Sequence, residues 1–156
     1  MSQRPVERTE RDLTGLLNMA GHALSNRLAA ALAEVGLTPR MQCVLVHALE
    51  QERTQIQLAA LADLDKTTMV STVDALESHG LAERRPSAAD RRARIIAVTE
   101  RGRKAAQRGQ EIVDQVHGEV LDGLTGVDRA AFVEALSVLV DGGVAGPQPV
   151  RRTRSR

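Results

Sequence analysis

The sequence predicts a mostly α-helical fold interrupted by one small β hairpin, and three observations carry that prediction. Ala, Leu and Val supply 22, 18 and 16 of the 156 residues, and Ala with Leu at this density favours helix. Apolar residues recur at steps of three and four through six segments, the signature of helices with one buried face. That period lapses only between Leu81 and Val98, where two short extended runs flank a polar tip.

The elements follow in order. From Leu13 to Val35, the residues Leu13, Leu16, Leu17, Ala20, Leu24, Leu28, Leu32 and Val35 mark one face of a helix that Gly36 ends. Thr38-Pro39 offers an N-cap and a proline at the first helical position, opening a second helix through Val44, Leu45 and Leu49. Thr54 to Gln57 has the capping-box pattern and starts a short third helix to Leu61 or Ala62. Asp65 caps a fourth, with Met69, Val73 and Leu76 on its inward face and Gly80 just past its end. Leu81 to Pro86 and Ala93 to Val98 then read as a hairpin around Ser87 to Arg92. Thr99 caps a fifth helix over residues 100–122, which at ~35 Å is too long for a small domain to cover alone. Thr125 opens a sixth helix to Asp141 that is apolar around most of its circumference, so its burial is expected. Residues 1–141 thus form one domain, and the aperiodic stretch 142–156, with four arginines from Arg151 onward, reads as a disordered basic tail.

Composition excludes several classes of function. Phe132 is the single aromatic residue, so stacking platforms for unpaired bases and aromatic cages for cations are ruled out. One cysteine and four scattered histidines give no zinc-ligand spacing. No nucleophile, acid–base pair or cofactor loop can be assembled, so neither an enzyme nor a cofactor is expected. The polar start MSQRPVERTERD and the lack of an 18-residue apolar run speak against a signal peptide and a membrane span, which makes the cytoplasm the expected location. The net charge of +1 hides segregation: residues 34–80 carry −4, 81–108 carry +6, 109–150 carry −6 and 151–156 carry +4. Basic blocks of this kind point to a polyanion contacted locally.

Two short helices three residues apart, followed by an arginine-rich hairpin, form the pattern of a winged helix-turn-helix over about residues 37–98. In that arrangement the second short helix enters the major groove of duplex DNA by its N-terminal end. The polar side chains there are Lys66, Thr67, Thr68, Ser71 and Thr72, whose hydroxyls and methyls suit phosphates, base edges and thymine methyls. The hairpin supplies Arg84, Arg85, Arg91, Arg92 and Arg94, with Asp90 placed to orient one arginine. An arginine at the tip suits a narrow minor groove, while Arg84 and Arg94 on the strands would face phosphates.

These motifs resemble the MarR family of bacterial transcription regulators, most closely in LTPRMQCVLVHAL, LAALADLDKTTMVSTVDALESHGLAERR and DRRARIIAVTERGRKA. The resemblance implies a homodimer on a pseudo-palindromic operator, acting as a repressor and released by a small-molecule effector. It also implies dimerisation helices at about 13–35 and 100–141, which places Leu13, Leu16, Leu17, Phe132, Leu136 and Leu139 in the interface. The family's Asp-x-Arg wing motif maps onto Asp90 and Arg92. Many members carry Thr-Arg one turn into the recognition helix where this chain has Val70-Ser71, so base readout does not carry over.

Two residues have competing readings. Cys43 is read as a small core thiol rather than a redox sensor, since no cation lowers its pKa and no second cysteine can resolve it. His22 is near where the family binds effectors, but reads first as a helix-surface histidine. The rival function is a helical protein-interaction module on a degenerate winged fold, whose mark would be loss of the wing cations or of the polar recognition face.

Overall fold

A computed structural model describes residues 12–88, 90 and 92–144. The chain divides into two units, Met1–Val116 and His117–Arg156.

The first unit contains α1 (Leu13–Ala33), α2 (Pro39–Glu50), α3 (Gln55–Leu61), α4 (Lys66–Ser78), β1 (Ala82–Pro86), β2 (Arg94–Val98) and the first part of α5 (Glu100–Asp122). The caps sit where local chemistry demands. Thr38 accepts from the Met41 N–H, Thr54 and Gln57 form a reciprocal capping box, and Asp65 accepts from the Thr68 N–H. Thr99 accepts from the Gly102 N–H at 3.0 Å and donates to the Gly80 carbonyl at 2.8 Å, so the start of α5 is fastened to the turn after α4.

The core is aliphatic throughout. Leu32 of α1 and Leu37 meet Met41, Val44 and Leu45 of α2, Leu58 of α3, Met69, Val73 and Leu76 of α4, Ile96 of β2 and Ala106 of α5. With no aromatic to fill gaps, the helices close in on one another. A Cβ on Gly102 would overlap the Leu81 carbonyl oxygen, so that crossing admits only glycine. Gln42 Nε2 donates to the Ala106 carbonyl at 2.9 Å and fixes α5 against α2.

β1 and β2 are antiparallel, with Arg84 opposite Ile96 and Pro86 opposite Arg94. The hairpin is also held from its other edge. The Ile96 N–H donates to the Arg53 carbonyl at 3.1 Å, and Thr54 bridges Ile95. The α2–α3 connection therefore acts as a third, minimal strand that the sequence pattern does not announce.

The second unit holds the end of α5, α6 (Arg129–Leu139) and a π-helical turn, Val140–Val144. Here the structure corrects three expectations. The sixth helix starts at Arg129 rather than Thr125, because Gly126 turns the chain at φ +73° and Asp128, not Thr125, accepts from an N–H of the first turn. Its apolar circumference is not buried within the chain, since no residue of α6 is buried and Phe132, Val133, Val138 and Leu139 all face outward. Gly142 to Val144, read from sequence as the start of the tail, continue the helix instead. The remainder of the tail and residues 1–11 lie outside the described residues.

Candidate nucleic-acid interface

The candidate surface is built on α4 and the hairpin. Asp65 accepts from the Thr68 hydroxyl at 2.6 Å and from its N–H at 2.9 Å, and these bonds hold its carboxyl below the usual carboxylate range. The first turn of α4 is thereby fixed, with Lys66 and Thr67 exposed at its tip. Ser71 is exposed one turn on, and its hydroxyl donates to the Thr68 carbonyl at 2.9 Å.

Thr72 departs from expectation. It is 6% exposed, and its hydroxyl donates to the Thr68 carbonyl at 2.7 Å, so it packs inward with its donor already used. Met69, Thr72, Val73 and Leu76 follow the three- and four-residue steps of a buried stripe, a signal already present in the sequence. From Lys66 to Asp74 the outward positions are Lys66, Thr67, Val70, Ser71 and Asp74; Asp74 carries no sequence signal for this face, and Val70 stands out only as a departure from the family's Thr-Arg.

The second correction concerns Arg84. Its Nη2 lies 2.7 Å from Asp74 Oδ1, its Nη1 donates to Glu77, and its backbone N–H donates to Glu77 Oε1 at 2.8 Å. With two carboxylates around a half-buried guanidinium, Arg84 joins the hairpin to α4 and is not available to phosphates. Arg85 is exposed and pairs with Glu83 across the rim of β1.

At the tip, Asp90 Oδ1 accepts from the Arg92 N–H at 2.9 Å, and the Ala93 N–H donates to the Asp90 carbonyl at 2.9 Å. Asp90 therefore orients Arg92 through the backbone turn rather than through its guanidinium. Arg92 and Arg94 are exposed and, like Lys66, carry no ion pair among the described residues. Arg91 lies outside the described residues.

Beside α4, a groove of about 540 Å³ runs between α1, α2 and α4, lined by Ser25, Asn26, Thr38, Arg40 and Ser71 among others. Arg40 is exposed in the first turn of α2, so the polar face of α4 continues onto a second helix N-terminus. A separate cavity of about 220 Å³ lies between α1, α2 and α5, walled by Leu28, Leu32, Pro39, Val46 and Val113, with Gln42, Cys43, His47 and Gln110. Burial, and secondarily the Glu50 charge, push the Cys43 thiol above its ordinary range. His22 is exposed on α1 and hydrogen-bonds Asn26 at 3.0 Å. It is not among the residues lining this cavity.

The fold and this geometry can be set beside known proteins. A sequence profile described as the MarR family matches residues 35–93. CouR from Rhodococcus jostii RHA1, solved with p-coumaroyl-CoA, is 32% identical, with 90% of this chain and 96% of that one covered at a TM-score of 0.77. The chain belongs to the MarR family. A MarR-family transcriptional regulator from Rhodococcus sp. RHA1 is 29% identical, covering 88% of this chain and 99% of that one at a TM-score of 0.72. The transcriptional repressor CouR bound to a 23-mer DNA duplex is 28% identical, covering 89% and 99% at 0.76. The two helices and hairpin are thus those of a MarR winged helix-turn-helix, with α4 as its recognition helix and β1–β2 as its wing.

Proposed function

We propose that this MarR-family chain is a repressor that binds a pseudo-palindromic DNA operator as a homodimer. The observation that carries the reading is the arrangement about α4 of cations that carry no ion pair among the described residues. Lys66 stands at its tip, Arg92 and Arg94 on the wing, and Arg40 across the adjoining groove, while the remaining arginines of β1 are held by carboxylates. Lys and Arg side chains that neutralise phosphates release counterions from a duplex, and these are placed to do so. The DNA complex of CouR supports the same use of this fold. The rival reading, a protein-interaction module, calls for loss of these cations, and they are present.

The homodimer accounts for the apolar residues that the single chain leaves exposed. Leu13, Leu16, Leu17 and Met19 face outward on α1, and Phe132, Val133 and Leu139 face outward on α6. Leu136 is half-buried among them. Stretches of this size on a monomer mark association sites. The cavity between α1, α2 and α5 is where a releasing effector would sit, at the base of the DNA-binding lobe. CouR with p-coumaroyl-CoA supports a small-molecule effector, and the mostly aliphatic lining here, with Gln42, Cys43, His47 and Gln110 as its polar points, suits a largely apolar group.

Selection of binding sites from random duplexes, followed by fluorescence anisotropy at several salt concentrations, tests the reading. A recovered palindrome bound with a steep salt dependence is the expected result. Failure to enrich any sequence would overturn it.

A further inference from the structure

Resting on that reading of α4, we infer that Val70 is a specificity-determining residue that packs on a thymine C5-methyl in each half-site. The other outward groups of α4 beyond its first turn are already engaged. The hydroxyls of Thr68 and Ser71 already donate, to Asp65 and to the Thr68 carbonyl, and Thr72 is buried. Asp74 is an acceptor, with Arg84 bound to its Oδ1. Lys66 and Thr67 keep their donors in the first turn, but beyond it this face has no free side-chain donor among the described residues from Thr68 to Asp74, whereas a guanine edge in the major groove presents two acceptors, N7 and O6, and calls for a donor pair.

What the middle of the face does present is an aliphatic side chain. Val70 is 36% exposed, follows Met69 in the second turn, and is flanked by Thr67 one turn before and Asp74 one turn after. The base-edge feature complementary to an exposed isopropyl group is the thymine methyl. Burying Val70 against an edge that lacks a methyl would leave N–H or C=O groups of the base facing carbon, at a desolvation cost without a return bond. Val70 thus favours thymine both by contact and by disfavouring the alternatives.

The test uses the full chain and a duplex carrying the selected operator, with each thymidine of the half-site replaced in turn by deoxyuridine, which lacks only the methyl. At one symmetric position, affinity should fall about fourfold per half-site and about fifteenfold when both are changed, the size expected for one buried methyl. Val70→Ala should weaken the thymine operator similarly and abolish the deoxyuridine penalty at that position. Val70→Thr, which keeps one methyl, should retain part of it. A penalty that persists unchanged in Val70→Ala, or no penalty at any position, overturns this inference while leaving operator binding intact. A selection that enriches nothing removes both it and the reading it rests on.

Discussion

Arg84 Nη2 lies 2.7 Å from Asp74 Oδ1, so the first strand of the wing is tied by charge to the outward face of the recognition helix. Glu77 completes the joint by accepting from both the Arg84 side chain and its backbone N–H. The angle between wing and helix is therefore set by an ion-paired hinge rather than by the hairpin alone. Removing the guanidinium would leave Asp74 and Glu77 one turn apart with no counter-charge. Arg84→Ala should cost about 1–3 kcal/mol in urea denaturation. It should also weaken operator binding, because the wing loses its register with α4. A variant of unchanged stability would show the joint to be ornamental.

Arg92 is the contrasting case, exposed at the wing tip with no ion pair among the described residues and its backbone held by Asp90. Arg92→Ala should leave stability and oligomeric state unchanged while lowering operator affinity roughly tenfold, the scale of one charge-assisted contact. The slope of log affinity against log salt should fall by about one per protomer. Asp90→Ala, which frees the turn and removes a carboxylate but keeps the Arg92 guanidinium, should lose affinity without the loss of slope that Arg92→Ala shows. Equal slopes and affinities for wild type and Arg92→Ala would remove the wing from the interface.

The contrast between these two arginines shows what the sequence made legible. Caps are encoded within four residues, so Thr38, Thr54, Asp65 and Thr99 are readable directly, as is the hairpin around Ser87 to Arg92. Arg84 finds its partners seven and ten residues back, on a helix face whose orientation only tertiary packing decides. Thr72 is legible in the 69-72-73-76 stripe, although its hydroxyl alone is as well suited to a groove as to a helix interior. The late start of α6 turns on Gly126 and Asp128, a stop and a cap close enough to Thr125 to be confused with it. Exposure of Phe132 could not be read from periodicity at all, since an apolar helix looks the same whether its own chain or a second copy covers it.

Phe132 tests that last point. It is the largest apolar side chain on α6 and is 37% exposed in the single chain. Phe132→Glu should shift the protein from dimer to monomer in sedimentation velocity at micromolar concentration, with loss of operator binding. Circular dichroism on the same sample separates dissociation from unfolding, and Leu139→Glu on the same helix should act in the same sense. A folded, dimeric Phe132→Glu protein would place the interface elsewhere.

Cys43 lines the cavity beside Val46 and His47, and burial raises its pKa. The thiolate fraction at pH 7.5 is therefore below that of a free cysteine, and the thiol is a poor nucleophile there. Iodoacetamide should label it more slowly than it labels glutathione, with the rate climbing as pH rises. Cys43→Ser should bind the operator as wild type does. Fast labelling at neutral pH would restore the oxidant-sensing alternative.

Asp65 links acid stability to the recognition helix. Its folded-state pKa is lowered, first by the Thr68 hydroxyl and then by the Thr68 N–H, so its stabilising contribution is fully present above the unfolded carboxylate value. That contribution is lost as pH falls through the lowered folded value, which frees the first turn of α4. Glu50, lowered by its bonds to Arg53 and His47, acts in the same direction. Asp65→Asn keeps a side-chain oxygen able to accept from the Thr68 N–H but cannot titrate. Wild type should exceed Asp65→Asn in Tm near pH 6, and the gap should narrow as pH falls below the ordinary carboxylate range, followed by thermal melts read at 222 nm. A gap that stays constant across this range would mean that the Asp65 charge contributes nothing to holding α4.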